Sequence, residues 1–216
     1  MASAKPAQVI EVFADVTCPF THVGLASLAE QLRRRGPHVG IWVRSWPLEW
    51  VNGRPMDPHA AFEHAMELRD QVAPGSFKTL DASMFPPTTI PALALSVKAY
   101  KVGMDVGQAL SFEVRNWLFE QGRNVADPDT LKELATKFDL DAPDPDDYAT
   151  VVAEWKEGRE RGVQGSPHFF CGGTSAFCPS MDISSNDDDG PGMTIHRTIG
   201  RLAEFLDKCL APAPPQ

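Results

Sequence analysis

Apolar and polar positions change period several times along the chain, and each change marks an element. Val9, Ile10, Val12, Phe13 and Val16 form a short run rich in β-branched side chains, which predicts a buried strand. Leu25, Leu28, Ala29 and Leu32 then share one face of a helix that starts at Pro19 and runs to about Arg35, with Gly36-Pro37 as its stop. Arg33, Arg34 and Arg35 place cations at the helix C-terminus, where the dipole favours them. Residues 39–45 (V-G-I-W-V-R-S) alternate again and predict a second strand. A strand–helix–strand opening implies a parallel pair joined by a right-handed crossover.

Helical spacing dominates from about residue 57 to 140. Asp57-Pro58 opens a helix through Val72, and a second covers residues 90–101, opening at Pro91. A third starts at Asp105, carries Leu110, Val114, Trp117 and Leu118 inward, and ends at Gly122. Asp127-Pro128 opens a fourth, with Leu131, Leu134, Ala135 and Phe138 inward. The proline-rich stretch 74–91 reads as a surface loop. Such a run of helices predicts an inserted helical subdomain over residues 55–145, flanked by an α/β domain built from residues 8–50 and 146–211. Asp144-Pro145 starts a further helix that Gly162 closes. Gly172-Gly173 signals a hairpin, with the next strand beginning near Thr174. A final helix, 198–210, carries Ile199, Leu202, Phe205, Leu206 and Cys209 near one face, and residues 212–216 read as a disordered tail.

Composition narrows the function. The 216 residues are 43% hydrophobic and 23% charged, as in ordinary globular proteins. A net charge of −9 argues against nucleic acid, whose binding is led by phosphate neutralisation. No apolar run has the length of a membrane span, and M-A-S-A-K-P-A-Q lacks a secretory h-region, so the expected setting is the cytoplasm. In that compartment most of the four cysteines, Cys18, Cys171, Cys178 and Cys209, are expected to remain thiols. Cys171 and Cys178 have neither zinc-site spacing nor a register suited to bridging, because a tight turn pairs Cys171 with Thr174. No metal is expected, and both are read as buried free thiols. The acidic run from Asn186 to Gly192 lacks the ligand pattern of an EF-hand and reads as a solvated connector.

The chemistry centres on Cys18. It falls at a helix N-cap, with Pro19 filling the first helical position, where its missing N–H costs nothing. The N–H groups of Phe20 and Thr21 and the positive end of the dipole favour thiolate, so an acidic, reactive sulfur is expected. The alternative is a buried structural cysteine that abuts the helix.

V-T-C-P-F-T-H-V-G resembles the active-site segment of the DsbA-like thioredoxin superfamily. The FrnE-like oxidoreductases are the nearest branch in character, beside 2-hydroxychromene-2-carboxylate isomerases and kappa-class glutathione transferases. F-E-V-R-N-W-L-F-E-Q-G-R-N-V-A-D-P-D-T-L is similar to the equivalent FrnE-like stretch, and G-V-Q-G-S-P-H-F-F-C resembles the segment bearing the fold's cis-proline. The resemblance implies a thioredoxin-like fold with an inserted all-helical subdomain, and a cis-Pro167 that exposes the backbone of Ser166 to an extended substrate beside Cys18. Pro19, Phe20, His22, Ser166 and Pro167 are then the substrate-binding candidates, with Cys18 and Thr21 catalytic.

Dithiol members carry C-P-x-C, whereas this chain has Thr21 at the second cysteine. A single thiol works through a mixed disulfide that Thr21 cannot resolve, leaving that step to a low-molecular-weight thiol such as glutathione or to another protein. Thr21 can instead donate a hydrogen bond to a Cys18 thiolate. The first reading is a monothiol thiol–disulfide oxidoreductase with no bound cofactor, a thiol or disulfide substrate, and neither nucleic-acid nor membrane partners; a homodimer is left open. The second is a glutathione-dependent transferase or isomerase. The third is a redox-inactive relative that binds thiols or peptides. His22 offers either a polarising imidazole or an ordinary helix residue, and Asp15 either a proton acceptor or a structural carboxylate. Tyr100, Trp46 and Trp50 read as packing residues.

Overall fold

The computed structural model describes residues 8–35, 39–185 and 192–211. The proposed helix stop at Gly36-Pro37, most of the acidic run and the proline-rich tail lie outside the described residues. Strand β1 (Gln8–Ala14) leads into helix α1 (Pro19–Arg35), and β2 (Val39–Ser45) returns parallel to β1 along its whole length. A single helical turn, α2 (Leu48–Val51), precedes four longer helices: α3 (Pro58–Gln71), α4 (Ile90–Val102), α5 (Met104–Gln121) and α6 (Pro128–Lys137). Helix α7 (Pro145–Glu160) brings the chain back to the sheet as β3 (His168–Cys171) and β4 (Thr174–Phe177). The sheet order is β2-β1-β3-β4, with β3 antiparallel to both neighbours. This is a thioredoxin-like fold with a helical insertion.

Local chemistry accounts for the helix starts. Asp57, Asp127 and Asp144 each accept backbone N–H groups of the following turn, and each is followed by proline at the first helical position. Gly122 ends α5 in the left-handed conformation. Two strands have no counterpart in the sequence reading. β5 (Met181–Ser185) and β6 (Met193–Arg197) form a separate antiparallel ribbon. Helix α3 holds it, with Gln71 bonding both the carbonyl of Met193 and the N–H of Ile195.

Two apolar clusters make the core. One lies between the sheet and α1 and α8 (Ile199–Leu210): Ile10, Val12, Leu28, Ile41, Phe169 and Phe205 belong to it. The other fills the helical region and takes in Val16 and Val23 from the start of α1. The outer edge of β2 is closed by side chains of the insertion. Tyr100 donates to the carbonyl of Ile41 and accepts from the N–H of Val43, both at 2.9 Å, and Gln108 accepts from the N–H of Ile41. On the other face of the sheet α7 comes so near that a Cβ on Gly158 would stand 2.7 Å from the Trp46 ring. Trp46, Trp50 and Tyr100 are thus structural, Trp50 meeting Trp155 edge to face. Among the described residues no helix is long and apolar enough to cross a membrane.

The expectation that Cys171 is a buried free thiol is corrected. Cys171 at the end of β3 is disulfide-bonded to Cys209 of α8, with Cα atoms 5.3 Å apart. The register does pair Cys171 with Thr174, which keeps Cys178 away, but α8 packs its apolar face on the sheet and delivers Cys209 to the strand end. Cys178 is a buried free thiol. Closing a loop of 38 residues is worth about 4 kcal/mol in the chain-entropy account. Reductant is therefore expected to lower the melting temperature of the wild-type chain and to leave a Cys209→Ser variant unmoved; equal sensitivity would mean the bridge is not the cause.

A buried ion network joins the sheet to α7. Arg44 pairs with Glu11, Glu154 and Glu157, and Arg161 pairs with Glu11 and Glu157. The hydrogen bond from Arg44, ahead of an opposing burial effect and of Arg161, holds the Glu157 carboxyl at about 2. Its folded value is below the unfolded one, so its stabilisation is complete above the ordinary range near ~4.3 and fades as pH falls toward that of the folded state. Arg44→Leu leaves buried Glu154 without its cation and should cost about 3–5 kcal/mol at neutral pH. Urea unfolding at neutral and acidic pH checks both points, the deficit narrowing in acid.

Candidate active site

Residues 15–18 turn the chain from β1 into α1 at one end of the sheet. The Cys18 carbonyl accepts the N–H groups of Thr21 and His22 at 3.1 and 3.3 Å, so Cys18 holds the cap position and Pro19 opens the helix. The segment before β3 lies against it. The Cys18 thiol donates to the carbonyl of Ser166 at 3.1 Å, and the Ser166–Pro167 peptide bond is cis. Ser166 Oγ accepts the Asp15 N–H at 2.9 Å and lies 2.8 Å from Thr21 Oγ1. Cys18, Pro19, Thr21, Ser166 and Pro167 are all buried, whereas Phe20 and His22 are half-buried.

The electrostatics correct the expectation of an acidic thiol. Cys18 is only 4% exposed, and its desolvation pushes the thiol above the ordinary cysteine range. Hydrogen bonds from the side chains of Thr21 and Ser166 and from the Thr21 amide act in the other direction, and the Asp15 charge adds to the rise. The helix N-terminus is visible in the sequence, but the depth at which the sulfur is buried is not.

Asp15 resolves toward its structural role. One carboxylate oxygen accepts the N–H and hydroxyl of Thr17, both at 2.7 Å; the other accepts the N–H of Leu48 and the hydroxyl of Thr89. His22 lies 2.8 Å from Glu120 of α5 and against the rings of Phe77 and Phe119. Burial opposes ionisation of Glu120, but His22 and the amides of Phe77 and Lys78 outweigh it and hold the carboxyl below its usual range. Phe20 leans toward His64, ring centroids 5.9 Å apart. His168 accepts the N–H of Gln164 on Nδ1, and burial first, then Arg161, lower its imidazole to about 4, so it serves as a neutral β3 residue.

Arg115 of α5 also reaches this turn. It is 1% exposed and donates to the carbonyls of Ser111 and Asp15 at 2.6 and 3.1 Å, while its Nε has no partner. Desolvation lowers its guanidinium to about 10, and the charges of Asp15, Tyr100 and Cys18 act against that. A lone arginine between Val114 and Trp117 carries no signal that it turns inward. A cavity of about 370 Å³ runs along α1 past His22, Ser27 and Arg34 to Arg197, and Cys18 does not line it.

The DSBA-like thioredoxin domain family matches residues 9–185. Three solved structures share the fold at low identity. A probable DsbA oxidoreductase from Streptomyces coelicolor is 21% identical, with 97% of this chain and 92% of that chain covered and a TM-score of 0.65. A 2-hydroxychromene-2-carboxylate isomerase is 14% identical, covering 78% and 88%, with a TM-score of 0.61. The cytosolic disulfide reductase DsbM from Pseudomonas aeruginosa, solved with GSH, is 13% identical, covering 93% and 95%, with a TM-score of 0.58. No curated protein sequence matches the chain.

The burial of Cys18 sets its pH dependence. Alkylation mapped to Cys18 should still be accelerating as pH passes through the ordinary thiol range. Thr21→Val removes one hydrogen bond to the anion, worth about 1.5 kcal/mol or more, and should slow alkylation roughly tenfold at neutral pH. An inflection below the ordinary range would show that the helix terminus outweighs burial.

Proposed function

The chain belongs to the DSBA-like thioredoxin domain family, and from that premise we propose that it is a thiol–disulfide oxidoreductase whose nucleophile is Cys18. The observation that carries this reading is the seating of the Cys18 sulfur at the head of α1 against Ser166, with the hydroxyl of Thr21 beside it. Cys18 attacks a substrate disulfide, expels one thiol and holds the other half as a mixed disulfide. Thr21 offers the anion a hydrogen bond but no second sulfur, so another thiol resolves the adduct. A glutathione-type thiol is the co-substrate in this reading, in line with the GSH named for DsbM. Pro19, Phe20, His22, Ser166 and Pro167 border the place where the substrate docks. A cytoplasmic setting is part of the proposal and agrees with the cytosolic label of DsbM.

One observation favours a second reading. Burial keeps the Cys18 thiol protonated, and it acts as a donor to Ser166. A neutral donor is what an enzyme needs if it binds the thiolate of a glutathione-like cofactor without exchanging disulfides, as an isomerase or transferase would.

Cys18→Ser separates the two. A serine hydroxyl donates a hydrogen bond but is far too weakly acidic to enter a mixed disulfide. The variant is expected to lose all disulfide exchange with glutathione disulfide, followed by intact mass, and all activity against a protein disulfide. Retention of full turnover on an aromatic or chromene-type substrate with glutathione would replace the oxidoreductase reading by the second.

A further inference from the structure

With Cys171 and Cys209 paired, two free thiols remain among the described residues, Cys18 and Cys178, and both are buried. They flank the same dipeptide. Cys18 Sγ donates to the carbonyl of Ser166 at 3.1 Å, and the N–H of Cys178 donates to the carbonyl of Pro167 at 2.9 Å. The second bond extends the β3–β4 register one step beyond His168 and Phe177. Phe177 is exposed and lies over His168 and Gly165 on one face of the sheet. Cys178, one residue past the end of β4, is buried where Phe177 is exposed. It belongs to the apolar cluster that contains Val16 and Val23, residues on either side of Cys18.

Two further observations concern Cys178. Its φ is +42°, in the left-handed region that non-glycine residues seldom occupy and that is tolerated at functional positions. Its carbonyl accepts the N–H of Met181, so it occupies the turn between β4 and β5 rather than the strand ladder.

We propose that Cys178 is the resolving thiol for Cys18, supplying from the β4–β5 turn the second sulfur that Thr21 cannot supply from α1. This inference rests on the oxidoreductase reading above. Cys18, as thiolate, attacks one sulfur of a substrate disulfide; that S–S bond breaks and the first substrate thiol leaves with a proton. Cys178, as thiolate, then attacks Cys18 Sγ; the mixed disulfide breaks and the second substrate thiol leaves with a proton. One disulfide has been reduced to two thiols, and Cys18 and Cys178 have been oxidised to a disulfide, two electrons and two protons passing to the substrate. Burial, and after it the charge of Cys18, push the Cys178 thiol up to about 12.

The test treats the full chain with glutathione disulfide, quenches with acid and maps the sulfurs by mass, with cleavage after Phe177 so that Cys171 and Cys178 lie on different fragments. The wild-type chain should give linked Cys18 and Cys178 fragments and release two equivalents of glutathione thiol. Cys178→Ser and Cys178→Ala should each stop at a stable glutathione adduct on Cys18. The wild-type map requires no variant to fold. If the adduct on Cys18 persists equally in all three proteins without linked fragments, or if Cys178 is found joined to a sulfur other than Cys18, this inference is overturned and the oxidoreductase reading stands. If Cys18 takes up no glutathione and forms no disulfide in any of them, both fall.

Discussion

A carboxylate removed from water must find its hydrogen-bond donors inside the protein, and Asp15 finds them on three separate segments. Thr17 belongs to the turn into α1, Leu48 to the exit from β2, and Thr89 to the start of α4. The carboxylate therefore fixes where the helical insertion leaves the sheet and where it begins to cover the sulfur. From the same residue the backbone N–H reaches Ser166 Oγ and the carbonyl receives Arg115. The position of Cys18 follows from this junction: the turn that bears it is tied to the sheet, to the insertion and to the entry of β3.

That junction also explains the character of the sulfur. A helix terminus and nearby hydroxyls lower the cost of a thiolate, but burial acts in the opposite direction. Here the insertion closes over α1, and desolvation is the largest influence. The buried guanidinium of Arg115 is the cationic element beneath the site, held by two backbone carbonyls. Desolvation thus favours the protonated thiol, which donates to Ser166.

Much of the architecture was legible because its signals are local. Asp-Pro pairs at 57–58, 127–128 and 144–145 marked helix starts, and Gly172-Gly173 marked the hairpin, since each meets a backbone need within one turn. The segment from Val9 through Pro19 announced both the strand and the reactive position. Features that depend on distant partners were not legible. The ribbon of β5 and β6 consists of two five-residue strands on either side of an acidic run, and it rests on Gln71 and Glu67 of α3, far away in sequence. Cys209 meets Cys171 only because α8 docks on the sheet, a contact that no local spacing of cysteines announces. The direction in which Cys18 is shifted turned on burial by helices whose packing no local pattern records.

The closure of the β2 edge has a consequence for the company the protein can keep. An exposed sheet edge is a template onto which any extended polypeptide can add. Tyr100 and Gln108 occupy backbone groups of Ile41 and Val43 that would otherwise recruit such a strand. With the Ile41 and Val43 groups taken by side chains of the insertion, strand addition along β2 is suppressed.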